Sequence, residues 1–283
     1  MSTKITYSLR YIKDSNVIEI QDSNITMRAH IQKYATQRLN VANIEIMGLK
    51  KESREFIYKD RYAQINQPSL VLEAGLDGNN AVVFSGTVLE AYSSKEKAEI
   101  KTNITAQDGQ DLVGGSIINT TFGSGKSMRD IMMSTINYTG LTPGYIGSFD
   151  ETQLLRDIPV NGNTYEELQS LSNNTMFIDN GTINKLDDNE VINEILVLTS
   201  NNRFLKTPQR IGQYLVLEIL FLPLVKVGQL VEVKSDYERA YNGLYKLVGI
   251  DHQISASGSV LEQSRTRLEL FIPDGKQFIY VNK

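Results

Sequence analysis

Short runs of alternating apolar and polar residues, separated by Gly, Asn, Asp and Ser, dominate both ends of this chain. Alternation predicts β-strands, because neighbouring side chains of a strand point to opposite faces. In the first third we expect strands in KITYSLRYI, NVIEIQ, ANIEIMGL, EFIYK, SLVLEAGL, NAVVFSGTVLEAYSS and EIKTNITAQDG. In the last third we expect them in EILVLTS, YLVLEILFL, QLVEVKS, GLYKLVGIDHQI and RTRLELFI. The run ITMRAHIQKYATQRL fits a strand or a helix, and the pattern leaves both open.

Two helices are predicted, both in the middle of the chain. Ser127 lies three residues before Asp130, which is the spacing of a capping box, and a helix should run from Met128 to about Tyr138 and stop at Gly140.

The second helix should open with TYEE, where Thr164 and Glu167 have the same capping-box spacing, and cover about residues 165–173. The run TMFIDNGTINKL then predicts a hairpin that turns at Asn180-Gly181.

The stretch FGSGKS, residues 122–127, contains the residue types of a phosphate-binding loop. That loop needs the pattern G-x-x-x-x-G-K-[ST], and its first glycine would fall at Thr120. The preceding run GGSIINTT is also short and half polar for the buried strand that such a loop follows. We therefore interpret the stretch as the approach to the first helix, with Lys126 as a solvated charge.

Part of the last third echoes part of the first. FSGTVLEAYSS and YNGLYKLVGID each place an aromatic residue two positions before a glycine, Phe84 before Gly86 and Tyr241 before Gly243. Each run leads through an apolar strand and a polar loop to a strand that closes on Asp-Gly, at 108–109 and 274–275. Hairpins share turn chemistry, so chance similarity remains an alternative to a repeat.

Composition excludes several classes of function. The chain has no cysteine, which rules out disulfides and thiolate metal sites, and its two histidines, His30 and His252, are far apart in sequence. The net charge of −4, without a cluster of Lys and Arg, does not suit a protein that grips DNA. The apolar run YLVLEILFLPLV contains a glutamate and a proline and is shorter than the roughly 18 residues of a membrane helix.

No catalytic constellation is predicted. The acidic run DDNE, residues 187–190, lacks the alternating ligands and the glycine of a calcium loop. GGSIIN does not complete the G-x-S-x-G pattern of a hydrolase nucleophile. Asp251 and His252 are neighbours on a predicted strand and should point to opposite faces, so we expect a histidine satisfied by local hydrogen bonds. No metal and no cofactor are expected.

Several stretches, in this order, resemble the bacteriophage tail baseplate hub family, the spike-bearing central hub proteins related to the base of type VI secretion spikes. The resemblance runs from about Ala42 to the end of the chain. It is carried by ANIEIMGLKKESREFI, LVLEAGLDGNNAVVFSGTVLEAYSSKEKAEIKTNITAQDG, INTTFGSGKSMRDIM, TYEELQSLSNNTMFIDNGTI and VKVGQLVEVKSDYERAYNGLYKLVGIDHQI.

The resemblance implies a mainly β fold with an α+β insert: two tail-tube-like β-barrel modules, residues 1–109 and 188–283, flanking a small helix-containing domain at 110–187. It further implies a homotrimeric ring of pseudo-sixfold symmetry, which joins a hexameric tail tube to a trimeric spike and leaves a lumen through which DNA passes unbound. Such a protein is no enzyme and no membrane protein.

The implied partners are tail tube or tube-initiator proteins, a spike expected to be a separate polypeptide, and possible contacts with tape measure, baseplate wedge or sheath proteins. The implied location is the tail baseplate of the virion, after assembly in the host bacterial cytoplasm. A P-loop-like nucleotide-binding enzyme and a host-glycan-binding tail module are the alternative functions.

The apolar run near residue 220 is the candidate subunit interface, although it could equally lie in a barrel core. The candidate interface residues are Leu215, Leu217, Ile219, Phe221 and Leu222.

Overall fold

The computed structural model describes residues 4–21, 25–62, 67–97, 99–149, 152–200, 204–256, 264–273 and 277–283. The strands of the first part are β1 (Ile5–Lys13), β2 (Asn16–Ile20), β3 (Thr26–Tyr34), β4 (Val41–Met47), β5 (Ser69–Leu76), β6 (Asn79–Glu96) and β7 (Glu99–Gln107), with helix α1 (Lys51–Ile57) between β4 and β5.

The middle part contains α2 (Gln110–Gly115), β8 (Ile117–Phe122), α3 (Met128–Thr139), β9 (Thr142–Ile146), β10 (Ile158–Asn163), α4 (Thr164–Leu171), β11 (Met176–Asp179) and β12 (Thr182–Lys185). The last part contains β13 (Glu190–Thr199), β14 (Gln209–Ile211), β15 (Tyr214–Leu220), β16 (Gln229–Lys234), β17 (Gly243–Ala256), β18 (Arg265–Phe271) and β19 (Ile279–Val281), with a 3₁₀ helix at Arg239–Tyr241. The chain is therefore mainly β with a few helices, as predicted.

The first and last parts repeat one strand order. In the first part the order across the sheet is β3-β4-β7-β6-β5-β1, and in the last part it is β14-β15-β18-β17 followed by β16 and β13. The strands also follow each other along the chain in the same sequence. One pairing differs: β1 and β5 are antiparallel, whereas β13 and β16 are parallel.

A β-bulge recurs at one place in the repeat. The register of β6 against β7 shifts between Val88 and Glu90, and that of β17 against β18 shifts between Leu247 and Gly249. When the two bulges are aligned, Glu90 and Gly249 are structurally equivalent. The sequence echo is therefore offset by two residues from the structural one, since it matched Gly86 with Gly243. Its closing Asp274-Gly275 lies outside the described residues.

One sheet continues from the first part into the last. The run left open between strand and helix contains β3, whose buried and accessible side chains alternate. β3 pairs antiparallel with β4 on one edge and with the second half of β17 on the other, from Gly249 opposite Tyr34 to Ala256 opposite Met27. Both edges of β3 are thus hydrogen-bonded, which favours the strand over a helix.

The buried apolar side chains form two large clusters under this sheet and two smaller ones in the middle part. Phe221, Ile254 and Ala256 come from the last part but belong to the cluster of the first part, so the two halves share a core. The predicted domain boundaries fall between β7 and α2 and between β12 and β13. The division into three domains stays a prediction.

The middle part is a small α+β unit. Strands β8 and β10 form an antiparallel pair, while β9, β12 and β11 form a separate three-stranded sheet. The predicted hairpin is β11–β12, and Asn180 and Gly181 at its turn adopt φ values of 51° and 75°. Such left-handed values suit Asn and Gly.

The expected strand EFIYK was wrong. Its first three residues end helix α1, which has Glu52 in its first turn and an i,i+4 ion pair between Lys51 and Glu55. Lys59 follows and makes an isolated bridge to Ala91 of β6. Straight-chain charged residues before the apolar pair favoured a helix over strand alternation.

The predicted cap of α4 was wrong by one residue. Asn163 is the N-cap, and its side-chain oxygen accepts hydrogen bonds from the backbone N–H groups of Tyr165 and Glu166. The Thr164 hydroxyl instead accepts a hydrogen bond from Ser116 at 2.9 Å and is fully buried. A tertiary contact thus took the side chain that the capping-box pattern had assigned to the helix end.

Candidate assembly face

One face of the joined sheet is polar across seven strands, in the order β6-β7-β4-β3-β17-β18-β15. Its side chains are exposed or half-buried, while alternate side chains of the same strands enter the cores. We call this surface the polar face. It consists of Glu90, Tyr92, Lys101, Asn103, Thr105, Asn43, Glu45, Arg28, His30, Gln32, Asp251, Gln253, Ser255, Arg265, Arg267, Glu269 and Glu218.

Cross-strand pairing arranges these side chains in rows. In one row Glu90 lies opposite Thr105, and the row continues through Asn43, His30 and Gln253. Above the middle of the sheet the surface is concave, with a volume of about 920 Å³. A broad, open and polar concavity suits contact with water or a large solute better than a pocket for one small ligand.

The fixed positive charges of the polar face are paired with carboxylates. The pairs are Arg28 with Glu45 at 3.6 Å, Lys101 with Glu45 at 3.4 Å, Arg265 with Glu218 at 3.0 Å and Arg267 with Glu269 at 3.6 Å. Hydrogen bonding to Lys206 and the charge of Arg265 lower the pKa of Glu218, which therefore remains a carboxylate. With its cations engaged, the face offers little to bind phosphates.

Asp251 is accessible and its neighbour His252 is buried, as strand alternation predicts, and the two histidines occupy different environments. His252 is buried, its Nδ1 is 2.9 Å from the Thr266 hydroxyl, and burial lowers its pKa to about 3. The expectation of a locally satisfied histidine is confirmed. Sequence reasoning missed that His30, from the neighbouring strand β3, brings its Nε2 within 2.9 Å of Asp251 on the polar face.

A buried ion pair attaches the middle part to the first part. The Nζ of Lys33 lies 2.7 Å from Asp179 and donates to the Asn180 side chain at 3.1 Å. The Asn180 oxygen also accepts the backbone N–H of Ser85 in β6. Lys33 occupies an inward position of β3, and its side chain is only 4% exposed. The turn of the β11–β12 hairpin is thus held against the underside of the sheet.

Asp108 completes this junction from the end of β7. One of its oxygens accepts the backbone N–H of Gly181 at 3.0 Å, and the other, Oδ2, is buried without a hydrogen bond. Burial, helped by the charge of Asp179, raises the pKa of Asp108 to about 6, although Lys33 opposes the rise. The junction therefore contains a carboxyl group that titrates near neutral pH.

A second junction attaches the middle part to the last part, and it uses the acidic run at 187–190. Glu190 is 1% exposed, and its carboxylate accepts backbone N–H groups of Ser148 and Asp187 at 2.6 and 2.8 Å. Lys185 lies 2.7 Å from Asp187 and 3.8 Å from Glu190. A β-carbon at Gly147 would lie 1.9 Å from Glu190, so any other residue there would displace this carboxylate from its hydrogen bonds. The carboxylates of this acidic run are therefore used in contacts that hold a turn together.

Lys246 of β17 reaches the same turn from the sheet. Its Nζ donates to the carbonyl of Asp187 at 2.6 Å and to that of Leu186 at 3.2 Å. Burial lowers the pKa of Lys246 to about 8, against the attraction of the nearby carboxylates. Buried lysines thus hold the middle part between the two halves of the repeat, with Lys33 on one side and Lys185 and Lys246 on the other.

FGSGKS has the structure expected for a helix approach. Ser127 and Asp130 form the capping box of α3, and Gly140 ends the helix at φ 73°. Lys126 is exposed, with its Nζ 5.0 Å from the centre of the Phe122 ring. Strand β8 does precede the loop, but it pairs only with β10 in the described part of the chain.

The apolar run lies mainly inside the single chain. Leu215, Leu217 and Ile219 on β15 and Phe221 after it are at most 3% exposed, and Leu222 is half-buried against the last part's core. Four of the five candidate interface side chains therefore pack in the core of the single chain. An interface role for the five candidates stays a prediction.

Among the described residues, no group of three or more His, Asp or Glu is placed to hold a metal ion. None of the helices in the described residues is long and apolar enough to cross a membrane.

Comparison with solved structures gives the fold. The chain is similar to the 43 kDa tail protein of prophage MuSo2 from Shewanella oneidensis, with a TM-score of 0.64 and 13% identity over 96% of this chain and 98% of that one. It is similar to a tail protein from Neisseria meningitidis MC58, with a TM-score of 0.62 and 12% identity over 95% and 97%. A third similar structure is the Escherichia coli c3393 protein, a type VI secretion component, with a TM-score of 0.59 and 9% identity over 90% of this chain and 75% of that one.

No curated protein matches the sequence significantly. A protein-family profile described as Baseplate hub gp41, however, matches residues 5–260, which is most of the chain. The repeated sheet, the polar face and this match lead to one identification: the chain belongs to the Baseplate hub gp41 family and is a phage tail baseplate protein.

Proposed function

We propose that three copies of this chain form a ring that joins the hexameric tail tube to the trimeric central spike. The observation that carries the proposal is the repeated strand order of the two sheet halves. Two similar halves in each of three chains present six similar units, which can face a sixfold tube on one side and a threefold spike on the other.

The polar face is proposed to line the lumen of this ring. It is polar and concave, and its arginine and lysine side chains are paired with carboxylates. A wall with unpaired cations would retain DNA through its phosphates, whereas a self-neutralised wall lets DNA slide past. The role is structural, with no catalytic step.

The proposed neighbours are tube or tube-initiator proteins and the central spike protein, with tape measure, wedge or sheath proteins at the periphery. The family membership supports a location in the tail baseplate of the virion. Assembly is proposed to take place in the host cytoplasm before the particle is released.

The molar mass of the pure protein, measured by light scattering over a range of concentrations, tests the ring. We expect a mass of three chains, and images of the particle with its tube and spike should show a ring with a continuous opening. A monomer that fails to form a ring even with both partners present would contradict the proposal. Duplex DNA should not be retained by the ring at physiological salt.

A further inference from the structure

The two halves use the edge of their sheets differently. By strand order β14 is the equivalent of β3, because β14 lies next to β15 as β3 lies next to β4. β3 has partners on both edges, β4 and β17. In the described part of the chain β14 pairs only with β15, so its other edge is open. An open edge of this kind is a template for another strand.

The edge of β6 is open at the position where β17 accepts β3. Before its bulge β6 pairs with β5 up to Thr87, and after it Lys59 bridges Ala91. From Tyr92 to the tip of the β6–β7 hairpin, no described strand lies on that edge. On β17 the equivalent stretch after the bulge carries the whole pairing with β3.

The alignment of the two halves fixes which residues would meet. Superposing the two bulges makes Tyr92 the structural equivalent of Asp251. Following the strand pairing from there through β4 and β15 makes Ile211 the equivalent of Gln32. Asp251 and Gln32 lie directly opposite each other in the joint between β17 and β3. The same joint between two copies therefore brings Tyr92 opposite Ile211.

We propose that β14 of one copy pairs antiparallel with β6 of a second copy, with Ile211 opposite Tyr92. The inference rests on the proposed ring and names the contact that closes it. Each chain would then carry one joint inside itself and make an equivalent one with its neighbour.

The exposure of the two side chains fits this pairing. Ile211 is 52% exposed and Tyr92 is 45% exposed, which leaves an unused apolar side chain on each edge. An aromatic residue opposite a β-branched one is a favourable cross-strand pair. The lengths of the two edges also agree. β14 ends at Ile211, and the next residue, Gly212, would fall opposite Ala91, whose edge Lys59 already occupies.

Disulfide cross-linking tests the register, because the chain has no cysteine of its own. The test protein carries Tyr92→Cys and Ile211→Cys together. In the joint of β17 with β3, Val248 accepts the backbone N–H of Ala35, so Asp251 and Gln32 form a pair without mutual hydrogen bonds. Such pairs have Cα atoms about 4.5 Å apart, within disulfide range.

Within one chain the two cysteines cannot meet. Seven strand-to-strand steps separate β14 from β6, and each step is about 4.8 Å. We therefore expect mild oxidation to convert most of the double variant into covalent trimers on a non-reducing gel. Each single variant should give no covalent trimer.

The matched control moves one cysteine by a single residue, with Ser93→Cys in place of Tyr92→Cys, because neighbouring side chains point to opposite faces. It should cross-link poorly. A three-chain mass without cross-linking of the Tyr92→Cys/Ile211→Cys protein would overturn the register and leave the ring intact. A one-chain mass with and without the partners would overturn both.

Introducing a charge at the proposed contact tests it independently of cross-linking. Tyr92→Asp should lower the fraction of three-chain species at a fixed protein concentration without changing the melting temperature of the fold. The control is Tyr237→Asp, at a side chain that is 79% exposed and follows β16, a strand that pairs with neither β6 nor β14. Equal effects of the two substitutions would contradict the proposed contact.

Discussion

The two halves of this protein share a strand order and differ in how they use one strand. β3 is nine residues long and is enclosed by partners, whereas its equivalent β14 is three residues long and fully exposed. The halves differ again at the far side of the sheet, where one pairing is antiparallel and the other parallel. The strands that carry the polar face keep their order, pairing and bulge, and variation lies at the edges, where partners would be met.

Removing a core residue shared by both halves should have the largest effect. Phe221 comes from the last part, packs in the core of the first and contacts the His252 ring at 5.5 Å between centroids. Phe221→Ala should lower the free energy of unfolding by about 3–5 kcal/mol, with both halves unfolding in a single transition. Urea denaturation followed by circular dichroism at fixed protein concentration measures this. Tyr237→Ala, at an exposed site, should change stability by less than about 0.5 kcal/mol.

The halves would prove independent if Phe221→Ala produced two separated transitions. In that case the shared core would not couple them.

A second test compares the buried junction with a surface ion pair. Lys33→Met leaves Asp179 without its cation in a buried setting and should cost about 3–5 kcal/mol. Lys226→Met breaks the pair with Glu194, whose side chains are both more than 40% exposed, and should cost at most about 1 kcal/mol. Thermal unfolding of both variants measures the difference. Equal losses would show that the junction does not hold the middle part to the first half.

The pH dependence of stability should reveal Asp108. Its pKa in the folded protein, about 6, lies above the ordinary value of 3.8. The contribution of Asp108 to the free energy of unfolding is therefore fully present below pH 3.8, where the carboxyl group is protonated, and is lost as the pH rises through 6. The loss approaches about 3 kcal/mol for a shift of this size. Asp108→Asn should therefore gain stability relative to the wild type as the pH rises from about 4 to 7.

The difference between the two stability curves is the measurement, since the other titrating groups, including His252, are common to both proteins. A flat difference from pH 4 to 7 would show that the carboxyl group is solvated.

Substitutions on the polar face should have the smallest effect on stability but a measurable effect on the affinity for DNA. Replacing Glu45 and Glu218 by glutamine removes the carboxylate charges that lie beside Arg28, Lys101 and Arg265. Stability should fall by about 1 kcal/mol or less per pair, because these groups are partly exposed. Affinity for duplex DNA at low salt should rise roughly tenfold and decline steeply with added salt. The control replaces Glu194, which lies away from this face, with glutamine.

Unchanged DNA affinity in the Glu45/Glu218 variant would show that carboxylate pairing does not govern how this face meets DNA.

The strands, the hairpin turns and the cap of α3 could be predicted because each depends on local pattern. Asn180-Gly181 and Ser127 with Asp130 act within a few residues of their own position. The errors arose where tertiary contacts intervened: Ser116 took the Thr164 hydroxyl, and the charged run before Ile57 folded as a helix.

The polar face could be predicted only in part. Alternation marks its side chains as accessible, but the joint of β3 with β17 brings together residues more than two hundred positions apart, such as His30 and Asp251. Lys33 did leave a signal, because it occupies an inward position in an alternating strand. A lysine at such a position requires a buried partner, and the sequence alone could not identify Asp179 as that partner.

The joint between β3 and β17 also has a mechanical consequence. Eight consecutive residue pairs connect the halves through antiparallel backbone hydrogen bonds. A load that slides one half along the strand direction strains all of these bonds together, whereas a load that peels β3 from one end breaks them in succession. The protein should therefore resist shear between its halves far better than peeling.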